Sequence, residues 1–397
     1  MNEQRLKIIN GKIITPRRII PNGTILVESG KIIAVEEGNI EANGAVVIDA
    51  GGKYVSPGFI DIHIHGSAGA DFMDGEEEAF LTIAEANTKN GTTAMTPTTL
   101  TSEKEGLLHT LDLYDSANKK NTKGAQFLGM HLEGPYFALN QRGAQDPRYI
   151  RDPDPAEYKE VIAYSKNIAR WSAAPELKGA IEFGQYCCSK GIMPAIAHTD
   201  AIYEEVIKAF DNGYTLATHM YSAMSGVTRR NAYRYAGVIE SAFLIDEMNV
   251  EVIADGKHLP APLLKLIYKI KGPDRIALIT DAIRGAGMKE GDTVVLGNKH
   301  TGLQAIIEDS VAKLPDRSSF AGSVATTDRL VRTMVNIAEV PLADAVRMMT
   351  ATPATIMGVA DRKGTLAPGK DADIVVFDGN INVETTIVNG RVVYQKQ

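Results

Sequence analysis

The sequence predicts a (β/α)8 barrel joined to a small β-sandwich domain built from both chain termini, and three features carry that prediction. Eight short apolar runs alternate with longer amphipathic stretches through the middle of the chain, the pattern of a parallel sheet wound with helices. Runs that end in His65, Glu133, His198, His219 and Asp281 finish in residue types that bind transition metals. The two chain ends instead read as short strands and share the pattern Ile-(Ile/Val)-Asn-Gly-(Lys/Arg)-(Ile/Val).

Taken in order, Ile8-Ile9-Asn10-Gly11-Lys12-Ile13-Ile14 sets an Asn-Gly pair between apolar pairs and predicts a hairpin. Residues 23–33 predict a second hairpin, and residues 45–49 a further strand. Residues 373–377 and 387–393 repeat the style at the C-terminus. Neither end has enough strands to bury a sheet face alone. Residues 1–56 and 364–397 are therefore expected to pair into one discontinuous domain, with residues 57–363 inserted as the barrel. The eight runs are residues 59–65, 92–97, 127–133, 169–174, 193–198, 215–219, 250–255 and 275–281. Helices are expected between most of them, at 76–90, 175–190, 202–212 and 262–271. The last run leads into a long irregular segment, after which helices from Thr326 and at 342–350 complete the ring.

Composition narrows the class. A chain of 397 residues is too long for one small core, and 44% apolar with 23% charged residues is ordinary for a globular protein. A net charge of −7 gives no electrostatic footprint for nucleic acid, and an anionic substrate would need a local basic patch. The two cysteines, Cys187 and Cys188, are adjacent and poorly placed to pair, which fits a reducing compartment. The N-terminus lacks an apolar signal region and no run reaches membrane-spanning length, so a cytoplasmic protein is expected.

The chemistry gathers at the run ends. On an extended strand, side chains two apart share a side, so His63 and His65 in Phe59-Ile60-Asp61-Ile62-His63-Ile64-His65 project together. The third run ends in Glu133, the fifth in His198, the sixth in His219 and the eighth in Asp281. Catalysis in such barrels sits at the C-terminal ends of the strands, where four of the eight histidines fall. Metal ligation follows as the expectation. His131 points to the same side as Glu133 but one layer deeper, either hydrogen-bonding a ligand or serving as a core histidine. His109 and His300 read as surface residues.

The His63-x-His65 pair, His198, His219 and the late Asp281 resemble the amidohydrolase superfamily. Some of its branches bridge two metals with a carboxylated lysine, but no run ends in lysine here. The carboxylate in His131-Leu132-Glu133-Gly134-Pro135 instead resembles the N-acetylglucosamine-6-phosphate deacetylase family. So do Gly143-Ala144-Gln145-Asp146-Pro147, Ala217-Thr218-His219-Met220-Tyr221-Ser222-Ala223-Met224, Ile253-Ala254-Asp255-Gly256-Lys257-His258, Leu278-Ile279-Thr280-Asp281-Ala282 and Phe320-Ala321-Gly322-Ser323-Val324. The likeness runs in order from about residue 50 to the C-terminus.

The resemblance implies a metal-dependent amide hydrolase. A divalent transition metal (zinc, iron, cobalt or manganese), one or two ions per subunit, would activate water and polarise the amide carbonyl. Glu133, His198 and His219 match the family's ligands of one ion; His63 and His65 would complete a second, bridged by Glu133, with Asp281 as general base and then acid. The resemblance also assigns an amino sugar phosphate to Ala144, Gln145, Ser222, Ala223, Arg230, His258, Phe320, Ala321 and Gly322. Arg230 lies in the basic stretch Thr228-Arg229-Arg230-Asn231-Ala232-Tyr233-Arg234, where a guanidinium suits phosphate but also a solvated loop or a subunit contact. The family usually carries asparagine where this chain has Ser222, so sugar recognition is expected to be rearranged. The implied reaction is deacetylation of N-acetylglucosamine 6-phosphate by a homodimer. The galactosamine epimer or another N-acyl amino sugar, or a non-catalytic scaffold on the same fold, are the other readings.

Overall fold

The computed structural model describes residues 5–16 and 18–397. All eight predicted runs become parallel strands of one barrel: Phe59–Ile64, Thr92–Thr99, Met130–Glu133, Ile168–Ala173, Met193–Ile196, Leu216–Ala217, Asn249–Val252 and Ile276–Leu278. Each pairs with the next in chain order, and the ring closes where Ile64 bridges Ala282 and the Asp281 N–H donates to the His63 carbonyl at 2.9 Å. A helix fills every crossover. The helix expected at 175–190 starts only at Ala180, because Gly179 in the left-handed region (φ 84°) breaks it. The third run is split at Gly129 (φ 102°), leaving Gln126–Phe127 as a separate short strand. No helix among the described residues is long and apolar enough to cross a membrane.

The barrel interior is polar beneath the mouth. Along the fourth strand Arg170 and Ser172 face inward, reaching Glu251 and His131, while the alternate Trp171 faces out. Trp171 stacks on Tyr136 with ring centroids 5.6 Å apart and donates to the Gly134 carbonyl at 2.7 Å, anchoring the turn that follows Glu133.

Both chain ends join one eight-stranded sheet. Tyr54–Pro57 lies between Leu6–Ile14 on one side and Ile374–Phe377 on the other, so non-local pairing ties start to finish. The sheet carries its own apolar cluster, with Leu6, Ile25, Val55, Ile374 and Ile387 buried. Two expectations are corrected. Asn10-Gly11 is a bulge, not a hairpin: Leu6–Ile14 runs through it as one strand with register shifts on both sides. A Cβ on Gly11 would lie 2.5 Å from Val55, so glycine is needed for strand approach rather than for a turn. The segment after the eighth barrel strand is also not irregular. It folds into a three-stranded antiparallel sheet, Thr293–Leu296, Leu303–Glu308 and Val311–Lys313, over a small core of Ile283, Val294, Leu296 and Ile307.

Candidate metal centre and active site

Six side chains named from the sequence converge at the C-terminal mouth of the barrel. His63 lies within the first strand and His65 just beyond it, and Glu133 ends the third. His198 and His219 stand two residues past the fifth and sixth strands, and Asp281 three past the eighth. Three of them, His198 (φ 47°), His219 (φ 31°) and Asp281 (φ 48°), are held in the left-handed region that non-glycine residues avoid. Such strain persists where the surroundings over-determine a conformation, and it concentrates at functional sites.

Two groups lie close enough to share an ion: His63, His65 and Glu133, and Glu133, His198 and His219. Glu133 belongs to both. Its Oε1 lies 3.4 Å from His63 Nε2, 3.5 Å from His198 Nε2 and 3.1 Å from His219 Nε2. Asp281 Oδ1 lies 3.4 Å from His63 Nε2 and 3.2 Å from His65 Nε2. The histidine tautomers suit this. His63 Nδ1 donates to Glu251 at 3.1 Å, His198 Nδ1 to the Gln141 carbonyl at 2.7 Å, and His219 Nδ1 to the Ser222 carbonyl at 3.1 Å. Each Nε2 lone pair is thereby aimed at the shared carboxylates. His65 Nδ1 is buried with no hydrogen-bond partner. His63 and His65 present their Nε2 atoms 3.3 Å apart, a separation at which two bare lone pairs call for positive charge.

The electrostatics agree. Burial opposes a charged ring at His63, yet Glu133, Glu251 and Asp281 outweigh it and push its pKa up to about 10. Burial likewise opposes the Glu133 carboxylate, but His63, His198 and His219 hold it well below its ordinary range. For Asp281 burial again acts upward, and His63 and His65 bring the net shift down. The donor set of four imidazoles and two carboxylates, all buried, therefore fits a divalent transition metal.

A cavity of about 390 Å³ opens over this cluster. Ala144, Gln145, Ser222, Ala223, His258, Phe320, Ala321 and Gly322 line it, together with His65, Glu133, His198, His219 and Asp281. His63 is fully buried beneath. His258 donates from Nδ1 to Asp255 at 2.8 Å and packs on Phe320, ring centroids 4.7 Å apart. Arg230 is not brought to the pocket of the single chain. It sits on an exposed hairpin, Thr228–Arg230 paired with Tyr233–Tyr235, with its guanidinium over Tyr235. His131 takes the core role: it bonds Thr98 at 3.3 Å and Ser172 at 2.7 Å and no ligand. Burial, then Arg170, holds its pKa well down, so it is a neutral ring. His109 and His300 are exposed.

Sequence reasoning missed four contributors. Gln141 caps His198 through its backbone carbonyl, which no side-chain motif reveals. Leu296, from the unforeseen three-stranded sheet, lines the cavity. Glu251 and Arg170 lie fully buried beneath the ligands. The signal for these two was present: a lone charge inside Val250-Glu251-Val252 and another inside Ile168-Ala169-Arg170-Trp171, both in strands expected to be apolar on each face.

A closed parallel barrel with imidazoles and carboxylates gathered at its mouth defines a metal-dependent hydrolase of the amidohydrolase type. The sequence pattern of the Amidohydrolase family matches residues 54–393, most of the chain. The N-acetylglucosamine-6-phosphate deacetylase of Lysinibacillus sphaericus is 33% identical over 376 residues, covering 93% of this chain and 92% of that one. The N-acetylgalactosamine-6-phosphate deacetylase of Escherichia coli O157:H7 is 29% identical, covering 96% and 97%. Among solved structures, a mutant N-acetyl-D-glucosamine-6-phosphate deacetylase from Mycobacterium smegmatis, in complex with N-acetyl-D-glucosamine-6-phosphate, superposes with a TM-score of 0.90 at 28% identity, covering 99% of this chain and 100% of that one. The chain belongs to the amidohydrolase family, and within it to the N-acetylglucosamine-6-phosphate deacetylases.

Proposed function

We propose that the protein hydrolyses the acetamide of N-acetylglucosamine 6-phosphate, releasing glucosamine 6-phosphate and acetate. The observation that carries this reading is Asp281, which faces the cavity directly beside a cluster fit for a divalent ion. Zinc, iron, cobalt or manganese would be held by Glu133, His198 and His219, with a second ion at His63 and His65. When bound, the ion supplies Lewis acidity that makes water a nucleophile near neutral pH and polarises the amide carbonyl. Asp281, ionised in this setting, accepts the proton of the attacking water and returns it to the departing amine. Gln145 holds Glu133 at 2.7 Å and is itself held by the Thr101 N–H at 2.8 Å, which keeps the carboxylate aimed. The loop with Ala144 and Gln145 and the segment Phe320-Ala321-Gly322 wall the sugar in.

No lysine or arginine lines the cavity among the described residues, although the substrate carries phosphate. We place His258 at the phosphate end and bring Arg230 to it from a second copy in a homodimer, an arrangement supported by the exposed apolar flanks of its hairpin, Val227 (61% exposed) and Tyr233 (74% exposed). We also read residues 1–56 and 364–397 as a separate β-sandwich unit and the enzyme as cytoplasmic, without nucleic-acid or membrane partners. Ser222 favours a second reading, deacetylation of the galactosamine epimer, because a shorter side chain than the family's asparagine changes the hydrogen bonds offered to the sugar.

A turnover assay with both 6-phosphorylated epimers and unphosphorylated N-acetylglucosamine tests this. The gluco epimer is expected to be the better substrate, and Arg230→Ala to raise KM for the phosphorylated sugar far more than for the unphosphorylated one. A preference for the galacto epimer would transfer the assignment to it; equal effects of Arg230→Ala on both forms would remove Arg230 from the phosphate site.

A further inference from the structure

The floor beneath the ligand cluster holds a charged pair that touches neither substrate pocket nor solvent. Glu251, in the middle of the seventh barrel strand, is fully buried, as is Arg170 in the fourth. The Arg170 guanidinium forks onto the Glu251 carboxylate, with Nη1 to Oε1 and Nη2 to Oε2 at 3.0 Å, and Nη2 also donates to Thr218 at 3.0 Å. Glu251 Oε2 has two more donors. One is His63 Nδ1 at 3.1 Å; the other is the backbone N–H of His219 at 3.3 Å. A single carboxylate thus reaches one member of each half of the cluster.

We infer that Glu251 is a positioning residue for the metal site, fixing the His63 ring and the His219 backbone so that both present Nε2 to a bound ion. The role rests on the metal reading above. A carboxylate acceptor at Nδ1 locks the proton there and leaves Nε2 bare, and outer partners of this kind make an imidazole a better ligand. The His219 backbone is held at φ 31°, so its N–H needs a fixed acceptor to keep the ring aimed. Arg170 answers the cost of placing a carboxylate in a dry barrel. It also explains why a charge stands in each of two barrel strands that are otherwise uncharged.

The test compares zinc affinity of chelator-stripped wild type with that of Arg170→Met/Glu251→Met, measured by competition with a chromophoric chelator, alongside thermal midpoints without metal. The double substitution removes both charges together, which a barrel tolerates better than losing one. The expected result is a folded variant with zinc affinity lowered roughly 10- to 100-fold. A folded variant with wild-type affinity overturns the role of Glu251 alone, whereas wild type that binds no zinc overturns the metal reading as well. Should the variant not fold, zinc-loaded wild type labelled with 15N-histidine decides: the His63 proton is expected on Nδ1, and a ring protonated at Nε2 overturns the inference.

Discussion

The proposed chemistry turns on Asp281: like Glu133 it faces the cavity and neighbours His63 and His65, but Glu133 is taken up in both groups that could hold an ion and Asp281 in neither. Asp281→Asn keeps the size and an oxygen near the cluster but cannot carry a proton. Turnover is expected to fall about 100-fold or more, in the range general acid–base groups supply, with metal content unchanged. Steady-state assay and metal analysis of the same sample check this, and near-wild-type turnover would refute the role. At this scale the convergence of these side chains was largely legible, because metal-binding residue types placed at strand ends betray themselves in the sequence. His131 was ambiguous for a physical reason: strand alternation gives a side, not a depth, and only depth separates a ligand from the hydrogen-bonded core ring it is. Glu251 and Arg170 were passed over because the parallel-strand rule treats both faces as apolar, which fails where a barrel interior supports a polar cluster.

At the scale of elements, the same dipeptide has two fates. Asn389-Gly390 (φ 48° and 72°) turns the chain between Val383–Val388 and Arg391–Gln395, the hairpin its sequence suggests. Asn10-Gly11 sits inside one strand, since Gly11 must admit Val55 from the neighbouring strand, a long-range contact that no local window contains. The three-stranded sheet at 293–313 escaped for a related reason: its strands are short, and the glycines and polar residues between them, such as Gly297, Lys299, Gly302 and Asp309, interrupt any run long enough to show a periodicity. Helix ends also carry a pH-dependent device. Lys271, buried at the end of Ala261–Lys271, donates to the Ala242 carbonyl at 2.9 Å and the Ile245 carbonyl at 2.8 Å, capping helix Val238–Leu244. Burial is the main cause that brings its pKa down to about 8 from 10.5, with Arg275 acting the same way. The folded state therefore binds fewer protons than the unfolded chain between those values. The cost of burying the charge is full below pH 8 and is relieved as pH rises toward 10.5. Urea midpoints of wild type and Lys271→Met, followed from pH 7 to 10.5, are expected to shift in favour of wild type as pH increases. A gap that stays constant or moves the other way would contradict this.

For the whole molecule, the terminal sheet has an apolar cluster of its own, yet its Ile14, Val375, Phe377 and Val383 join the barrel's core, and polar ties add to this. Lys363 is buried against Asp373 at 2.5 Å and Asp371 at 3.1 Å, the Gly58 N–H donates to the Asp373 carbonyl at 2.9 Å, and Thr386 donates to the Thr88 carbonyl at 2.7 Å. These hold the first barrel strand and its crossover helix, and so His63 and His65, against the sheet. The eight-fold alternation made the barrel readable and the paired ends made the sheet readable. The position of Arg230 was not, because the hairpin that carries it, Thr228–Arg230 with Tyr233–Tyr235, stands exposed and away from the cavity of the single chain. The central claim is that side chains from five strand ends hold a divalent ion required for amide hydrolysis. Metal content and turnover of N-acetylglucosamine 6-phosphate, measured on one sample as purified, after chelation and after re-addition of a divalent ion, test it most directly. The account predicts activity lost with the ion and restored by it, with His198→Ala/His219→Ala neither rebinding the ion nor recovering activity; undiminished turnover in ion-free protein would contradict it.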